Sequence, residues 1–371
     1  MDTSAINSLT HQVLWAAFIL AVLFGAIAQR THFCTMGAVS DIVNLGDWSR
    51  MRAWVMAMGV AMIGFYTLAA AGQIDPSKTL YASNRLVWLS ALVGGVLFGF
   101  GMVLASGCGS KTLVRIGGGN LKSLVVFIVM GVAAFATLKG ITAVVRVATV
   151  DRVALDFAGN ASLPSWMASA VGMSPTGAGL VIALVLGLGL VFWALLGRDF
   201  VSFDNLLAGL GIGAVICAMW WVSGHLAYVA EHPDTLQEAF LATNSGRSEA
   251  LSFVSPVAYT LDWFMFFSDK SKLLTIGIVS VFGVVAGSAI YSLAMRSFRW
   301  EGFRDAKDTA NHLVGAVLMG VGGVCAMGCT IGQGLSGIST LSATSFVAVA
   351  AILVGCVAAL RYQVWRLERR V

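Results

Sequence analysis

GAVLMGVGGVCAMGCTIGQGLSG, residues 315–337, and GGVLFGFGMVLASGCGSK, residues 94–111, follow one pattern. Each is an apolar run studded with glycine that ends in a Gly-Cys pair and passes into a short glycine-rich stretch. With Cys108 set on Cys329, nine of fifteen positions agree, among them Gly94 with Gly315, Gly99 with Gly320, Gly101 with Gly322 and the closing Ala-x-Gly-Cys. A duplication is the simplest source of such an ordered match.

Around this pair the chain is 58% hydrophobic and 11% charged over 371 residues. Soluble domains carry roughly a quarter of their residues as charges, so this composition belongs to a protein that lives in lipid. A membrane span needs about 20 apolar residues. Nine such runs are predicted, at 12–29, 53–72, 86–105, 121–145, 177–196, 205–222, 273–294, 311–327 and 343–360. The first is read as a true span, since MDTSAINSLTHQ has no basic leader region.

Lys and Arg accumulate in segments that stay inside the cell. With the N-terminus outside, fifteen of the 23 Lys and Arg residues, including Arg30, Lys111, Arg115, Lys122 and Arg366 to Arg370, fall inside. The reading is therefore N-terminus out and C-terminus in, and the basic tail RYQVWRLERRV is an anchor at the inner face, not a nucleic-acid patch.

That topology inverts the two copies: one glycine run enters from outside and the other from inside. The expected architecture is an all-α polytopic membrane protein of about nine transmembrane helices plus re-entrant half-helices, with two inverted pseudo-repeats arranged like an hourglass. Residues 1–146 form the first repeat and 147–371 the second, with an outward loop at about 223–271. Inverted repeats with interrupted helices at matching positions point to a transport site, because broken backbone is tolerated only where it lines a cavity.

GSKTLVRIGGG and TIGQGLSGIST, after the two Gly-Cys pairs, are too short to span and read as re-entrant half-helices. A third follows Cys34 in QRTHFCTMGAVSDI, and its partner in the second half is expected near residues 198–213, in RDFVSFDNLLAGLGIG. A half-helix N-terminus presents free N–H groups and a positive dipole end. Glycines beside Cys108 and Cys329 let a ligand approach the backbone, and the thiol is soft and polarisable. Together these features suit a small soft anion.

The plain alternative is close helix packing with cysteine as a small buried hydrophobe. It is the preferred reading for Cys217 and Cys356, and Cys325 stands between the two readings. The six cysteines build neither a disulfide framework nor a zinc site, since Cys325-x-x-x-Cys329 has no further ligand at suitable spacing. No metal or other cofactor is expected.

FGAIAQRTHFCTMGA, GFGMVLASGCGSKTLVRIGGGNLKSL and HLVGAVLMGVGGVCAMGCTIGQGLSGISTLS resemble the signatures of the YeeE/YedE membrane proteins, a family that includes bacterial thiosulfate transporters. The resemblance covers both ends of the chain and is poor between 146 and 270. It implies an hourglass in the inner membrane through which thiosulfate, or a related small sulfur anion, passes a series of cysteines. Carried over by residue, these are Cys34, Cys108 and Cys329. It also implies a small cytosolic sulfur carrier of the TusA type as a partner.

The expected substrate contacts are these three cysteines with Gly107, Gly109, Gly328, Thr330 and Gln333; Lys111, Arg115 and Cys325 are further candidates. For Lys111 and Arg115 the positive-inside bias is the preferred explanation. Gln333 either bonds substrate oxygens or braces its own turn, and Asp41 caps its helix or pairs with Arg30. Three other readings stay open: an ion channel or structural scaffold, transport of a selenium compound, and a membrane sulfurtransferase in which a cysteine passes sulfane sulfur to a cytosolic carrier. The last needs a lowered thiol pKa and a path for sulfite to leave.

Overall fold

A peptide group in lipid has no water to satisfy it, so long apolar runs fold as helices. The computed structural model describes residues 3–369 apart from Asp199 and Asp234; of the expected inner cations, Arg370 lies outside the described residues. The first part of the chain forms α1 (Thr3–Arg30), α2 (Thr35–Leu45), α3 (Ser49–Ala70), α4 (Trp88–Leu104), α5 (Gly109–Gly117) and α6 (Leu121–Lys139). Next come α7 (Ile141–Ala148), α8 (Leu163–Val171) and α9 (Pro175–Leu195).

The remainder opens with α10 (Phe203–Leu206) and α11 (Ile212–Trp221), which π-helical turns join into one span, Phe203–Leu226. It continues through α12 (Ser255–Met265), α13 (Ile276–Ala294), α14 (Ala306–Cys325) and α15 (Ala343–Glu368). Strand structure is confined to two-residue ribbons, β1 (Arg85–Leu86) on β2 (Leu155–Asp156) and β3 (Tyr228–Val229) on β4 (Ala239–Phe240).

Eight segments of the described residues are long and apolar enough to cross a bilayer. The run expected at 311–327 is α14. Lys307, Asp308, Asn311 and His312 in its first turns make it more polar than the others, yet it packs along both α4 and α6. The protein is a multi-pass α-helical membrane protein.

The glycine runs explain how tightly the centre is built. A Cβ placed on Gly94 would lie 2.7 Å from the Gly322 carbonyl oxygen, and one on Gly322 would lie 2.6 Å from that of Gly94. Gly101 and Gly315 stand in the same relation, at 2.7 and 2.6 Å. Under the sequence match, Gly94 corresponds to Gly315 and Gly101 to Gly322, so each contact is the mate of the other. This is the signature of a two-fold, self-complementary interface, here between antiparallel α4 and α14, with backbones approaching as only small residues allow.

The other packing pairs obey the same relation. The α4 glycine Gly99 sits against Ile352 and Cys356 of α15, and its counterpart Gly320 sits against Met130 and Ala134 of α6. The long contact between α1 and α13 has its mate in that between Phe203–Leu226 and α3, where Met56, Val60 and Cys217 meet Gly209, Gly213 and Gly64. α2 packs on α3 and α15, and α12, equally eleven residues long, packs on α13 and α6.

Two expectations need correction. Among the described residues of 198–213 there is no half-helix: Phe203 starts a continuous span, and the element matching α2 is α12, approached through fully buried Phe253 and Val254. The LDWFM stretch inside α12 therefore packs on the bundle with Asp262 buried, while Phe264, Met265, Phe266 and Phe267 are exposed. Asp41 pairs with Arg50, and Arg30 with Asp204 at 2.8 Å, because α2 turns its acidic residue toward the start of α3.

Candidate functional site

Three short helices start in the middle of the bundle with a cysteine at each N-cap position, and two of the three thiols accept a cap hydrogen bond. The Cys34 Sγ accepts from the Gly37 N–H at 3.4 Å at the head of α2. The Cys329 Sγ accepts from the Gly332 N–H, also at 3.4 Å, at the head of the half-helix over 330–339. Cys108 is the N-cap of α5, with Sγ 3.3 Å from the Ser110 Oγ.

Each cysteine is delivered by one backbone device. The residue two before it is left-handed: His32 at φ 52°, Ser106 at 57° and Met327 at 57°. The residue one before it donates back to the preceding helix, Phe33 to Ala28, Gly107 to Met102 and Gly328 to Gly323, at 2.8 to 3.2 Å. This is the Schellman closure of a helix end. A spanning helix is thus stopped and the chain redirected so that the next residue begins a new helix at the same depth. Non-glycine residues in left-handed conformations cluster where surrounding structure forces them.

The cysteines converge. Cys108 faces the side chains of Cys34 and Thr330, and Cys329 faces Cys108 and the backbone N–H of Phe253. Cys108 and Cys329 are inaccessible and Cys34 is nearly so. Gly109 stands against Phe253, where a Cβ would lie 3.6 Å from the Phe253 Cβ and carbonyl oxygen. Gly328, at φ 158°, lies against Gln333, where a Cβ would come within 3.1 Å of the Gln333 Cγ.

Among the described residues, several buried polar atoms near these thiols and along the Cys329 half-helix lack a conventional hydrogen-bond partner: Thr35 Oγ1, Thr330 Oγ1, Gln333 Oε1, Trp54 Nε1 and Ser345 Oγ. An unsatisfied buried group costs about 1–3 kcal/mol, so such a cluster calls for a reason. Thr35 and Thr330 each follow a capping cysteine, and the Trp54 ring lies against Gly334 of the Cys329 half-helix. Gln333 braces its own turn, donating from Nε2 to the Ala326 carbonyl at 2.7 Å, and keeps its oxygen free.

On the face that carries the C-terminus, a cavity of about 460 Å³ reaches Cys34 and is lined by Arg50, Lys111 and Arg115, with Glu301 at its edge. Lys111 and Arg115 both approach Gly107. Gly119, at φ 94°, turns the chain out of α5 so closely under Arg299 that a Cβ would lie 2.5 Å from its carbonyl. The positive charge therefore stands one helical turn beyond the Cys34–Cys108 pair.

Cys325 is separate from this cluster and lines a cavity of about 400 Å³ on the opposite face, with Met327. Cys217 packs against α3, its thiol pointing at the Val60 carbonyl, and Cys356 is buried between α4 and α15. The sequence reading missed Thr35, Trp54, Ser110 and Phe253. One signal was present: Cys-Thr-x-Gly occurs at 34–37 and again at 329–332, and in both the glycine supplies the N–H that the thiol caps.

Comparison with known proteins agrees in kind. The chain is 27% identical over 335 residues to the thiosulfate transporter TsuA of Escherichia coli K12, covering 87% of each chain. It is 26% identical over 356 residues to the TsuA of Spirochaeta thermophila, covering 92% of this chain and 97% of that one. The probable transporter YedE of E. coli K12 is 30% identical over 110 residues, covering 30% of this chain and 26% of YedE. The profile of the Sulphur transport family matches residues 30–358, and the chain belongs to that family.

Proposed function

We propose that the protein takes up thiosulfate across the bacterial inner membrane through the throat formed by Cys329, Cys108 and Cys34. The observation that carries this reading is the convergence of three buried thiols, each at the positive end of a short helix, on hydroxyls that lack partners. Helix N-termini attract an anion without a full counter-charge buried in lipid, and a thiol suits the terminal sulfur better than a hard oxygen donor would. The relatives named as thiosulfate transporters align over most of the chain and support the same substrate.

In this reading the N-terminus is periplasmic and the C-terminus cytoplasmic. The anion meets Cys329 first, passes Cys108 and leaves by Cys34 into the basic cavity of Arg50, Lys111 and Arg115, where a TusA-like carrier collects sulfur on the cytosolic side. The chain acts as a conduit, not as a sulfurtransferase, so thiosulfate crosses intact and no persulfide forms on any cysteine. Residues 1–146 and 147–371 are two copies of one unit in opposite orientation. The second copy starts its matching spans at Phe203, and α7 to α9 are an insertion.

The test is growth of a bacterial strain unable to import sulfate, on thiosulfate as sole sulfur source. The native chain restores growth, and Cys108→Ala and Cys329→Ala do not. Failure of a correctly inserted native chain to restore growth would remove thiosulfate as the substrate and bring selenium compounds or sulfur transfer forward.

A further inference from the structure

The pseudo-two-fold that carries Cys108 onto Cys329 carries Ser106 onto Met327. Ser106 lines the basic cavity on the C-terminal face, and Met327 lines the cavity of about 400 Å³ on the N-terminal face. The two cavities therefore occupy matching positions at opposite ends of the throat. Their charges come from different places. On the C-terminal face α5 supplies Lys111 and Arg115, whereas the corresponding residues of the second half-helix are Gly332 and Ser336.

On the N-terminal face the cations come not from the half-helix but from Arg85 ahead of α4 and Arg146 near the end of α7. Two acids share the cavity. Asp151 pairs with Arg146 at 3.0 Å and accepts from the Ser90 hydroxyl at 2.7 Å, while Arg85 donates to its backbone carbonyl at 2.9 Å. Glu249 has no ion-pair partner among the described residues and is held by the Ser245 hydroxyl at 3.0 Å. Tyr259 of α12 and Tyr81, whose hydroxyl bonds the Gly332 carbonyl of the half-helix, stand near it.

We propose that this cavity is the mouth through which a sulfur oxyanion enters the conduit, with Arg85 and Arg146 as its counter-charges and Glu249 as a proton-operated control on its affinity. The proposal rests on the transport reading for what lies below the mouth. Among the residues that line the cavity two cations face two carboxylates when Glu249 is ionised, with Asp156 at the edge 4.0 Å from Arg85; protonation of Glu249 makes the cavity one unit more positive. Glu249 is half-buried beside the exposed Ser245, and its desolvation in the cavity pushes the carboxyl up to about 7, against the Ser245 hydroxyl and the Asn244 N–H, which pull it down. The change of charge therefore falls within the range a periplasm or growth medium visits. An oxyanion binds with uptake of a proton, and acid on the N-terminal side tightens it.

The test is calorimetric titration of thiosulfate into the purified full chain at pH 5.5 and pH 8, beside Glu249→Gln and Glu249→Asp. Glu249→Gln keeps the Ser245 contact and imitates the protonated acid. The native chain binds on the order of tenfold more tightly at the lower pH. Glu249→Gln binds with the tighter constant at both, and Glu249→Asp restores the dependence. Native binding that does not change with pH, Glu249→Gln that keeps the native profile, or no thiosulfate binding at either pH overturns the proposal. Uptake into vesicles is measured separately: pH-dependent binding that Glu249→Gln abolishes, without uptake, supports the mouth and faults the transport reading instead.

Discussion

Replacing Cys329 by serine or by alanine separates the two things its thiol does. The Sγ caps the half-helix through the Gly332 N–H at 3.4 Å and, fully buried, presents a soft surface to the throat. Alanine removes both. Loss of a cap costs about 0.5–2 kcal/mol, and a thiol is a weak acceptor, so the low end applies. The void left by one buried sulfur adds about 1 kcal/mol. Serine keeps the cap with a stronger acceptor and fills most of the space, so its stability stays within about 1 kcal/mol of native. What serine lacks is the polarisable sulfur. The expectation is that Cys329→Ser melts close to the native temperature and Cys329→Ala melts lower, while both lose at least about tenfold in thiosulfate uptake, a loss of 1.36 kcal/mol or more. Thermal unfolding of the purified protein followed by tryptophan fluorescence, together with uptake of radiolabelled thiosulfate, reads both quantities. A serine variant that transports at the native rate would refute the reasoning, because the thiol would then be only a cap.

Thr330→Val removes a buried hydroxyl that faces the Cys108 thiol and has no conventional hydrogen bond among the described residues; the melting temperature should hold or rise, while the concentration for half-maximal uptake rises several-fold. Gly99→Ala places a methyl group against the Ile352 carbonyl and the Cys356 N–H, and forcing α4 from α15 should cost about 1–3 kcal/mol or more, read as a lower melting temperature. Glu249 makes stability depend on pH. Its carboxyl lies at about 7 in the fold against an ordinary value of 4.5, so between those values the native state holds more proton than the unfolded chain. Stability therefore falls as pH rises through that window, by at most about 3 kcal/mol, and levels off above it. Melting curves of Glu249→Gln between pH 5 and pH 8 should lose that slope, and an unchanged slope would contradict the assignment.

The spans and the central helix pair were legible because hydropathy and glycine spacing act locally: a run of 20 apolar residues has few alternatives in lipid, and Gly94, Gly101, Gly315 and Gly322 mark where backbones touch. The three capping cysteines were legible for the same reason, since each closes a recognisable apolar run. The partner of α2 was not. Phe253 and Val254 stand where the first half has Phe33 and Cys34, and with the cysteine gone the one shared phenylalanine is too little to mark α12 as a re-entrant element. The left-handed turns at His32, Ser106 and Met327 were equally hidden, because none is glycine and the conformation is imposed by the helix end before it. Arg30 with Asp204, and Arg85 and Arg146 at Asp151, are long-range pairings that only the folded bundle brings together.

The central claim is that this chain alone moves thiosulfate through its cysteine throat. The direct measurement is uptake of radiolabelled thiosulfate into vesicles containing only the purified protein, with Cys34→Ala, Cys108→Ala and Cys329→Ala inserted to equal density. The account predicts saturable uptake above that of empty vesicles by the native chain and its loss in all three variants. Equal uptake by the variants, or none by a folded native protein, would contradict it.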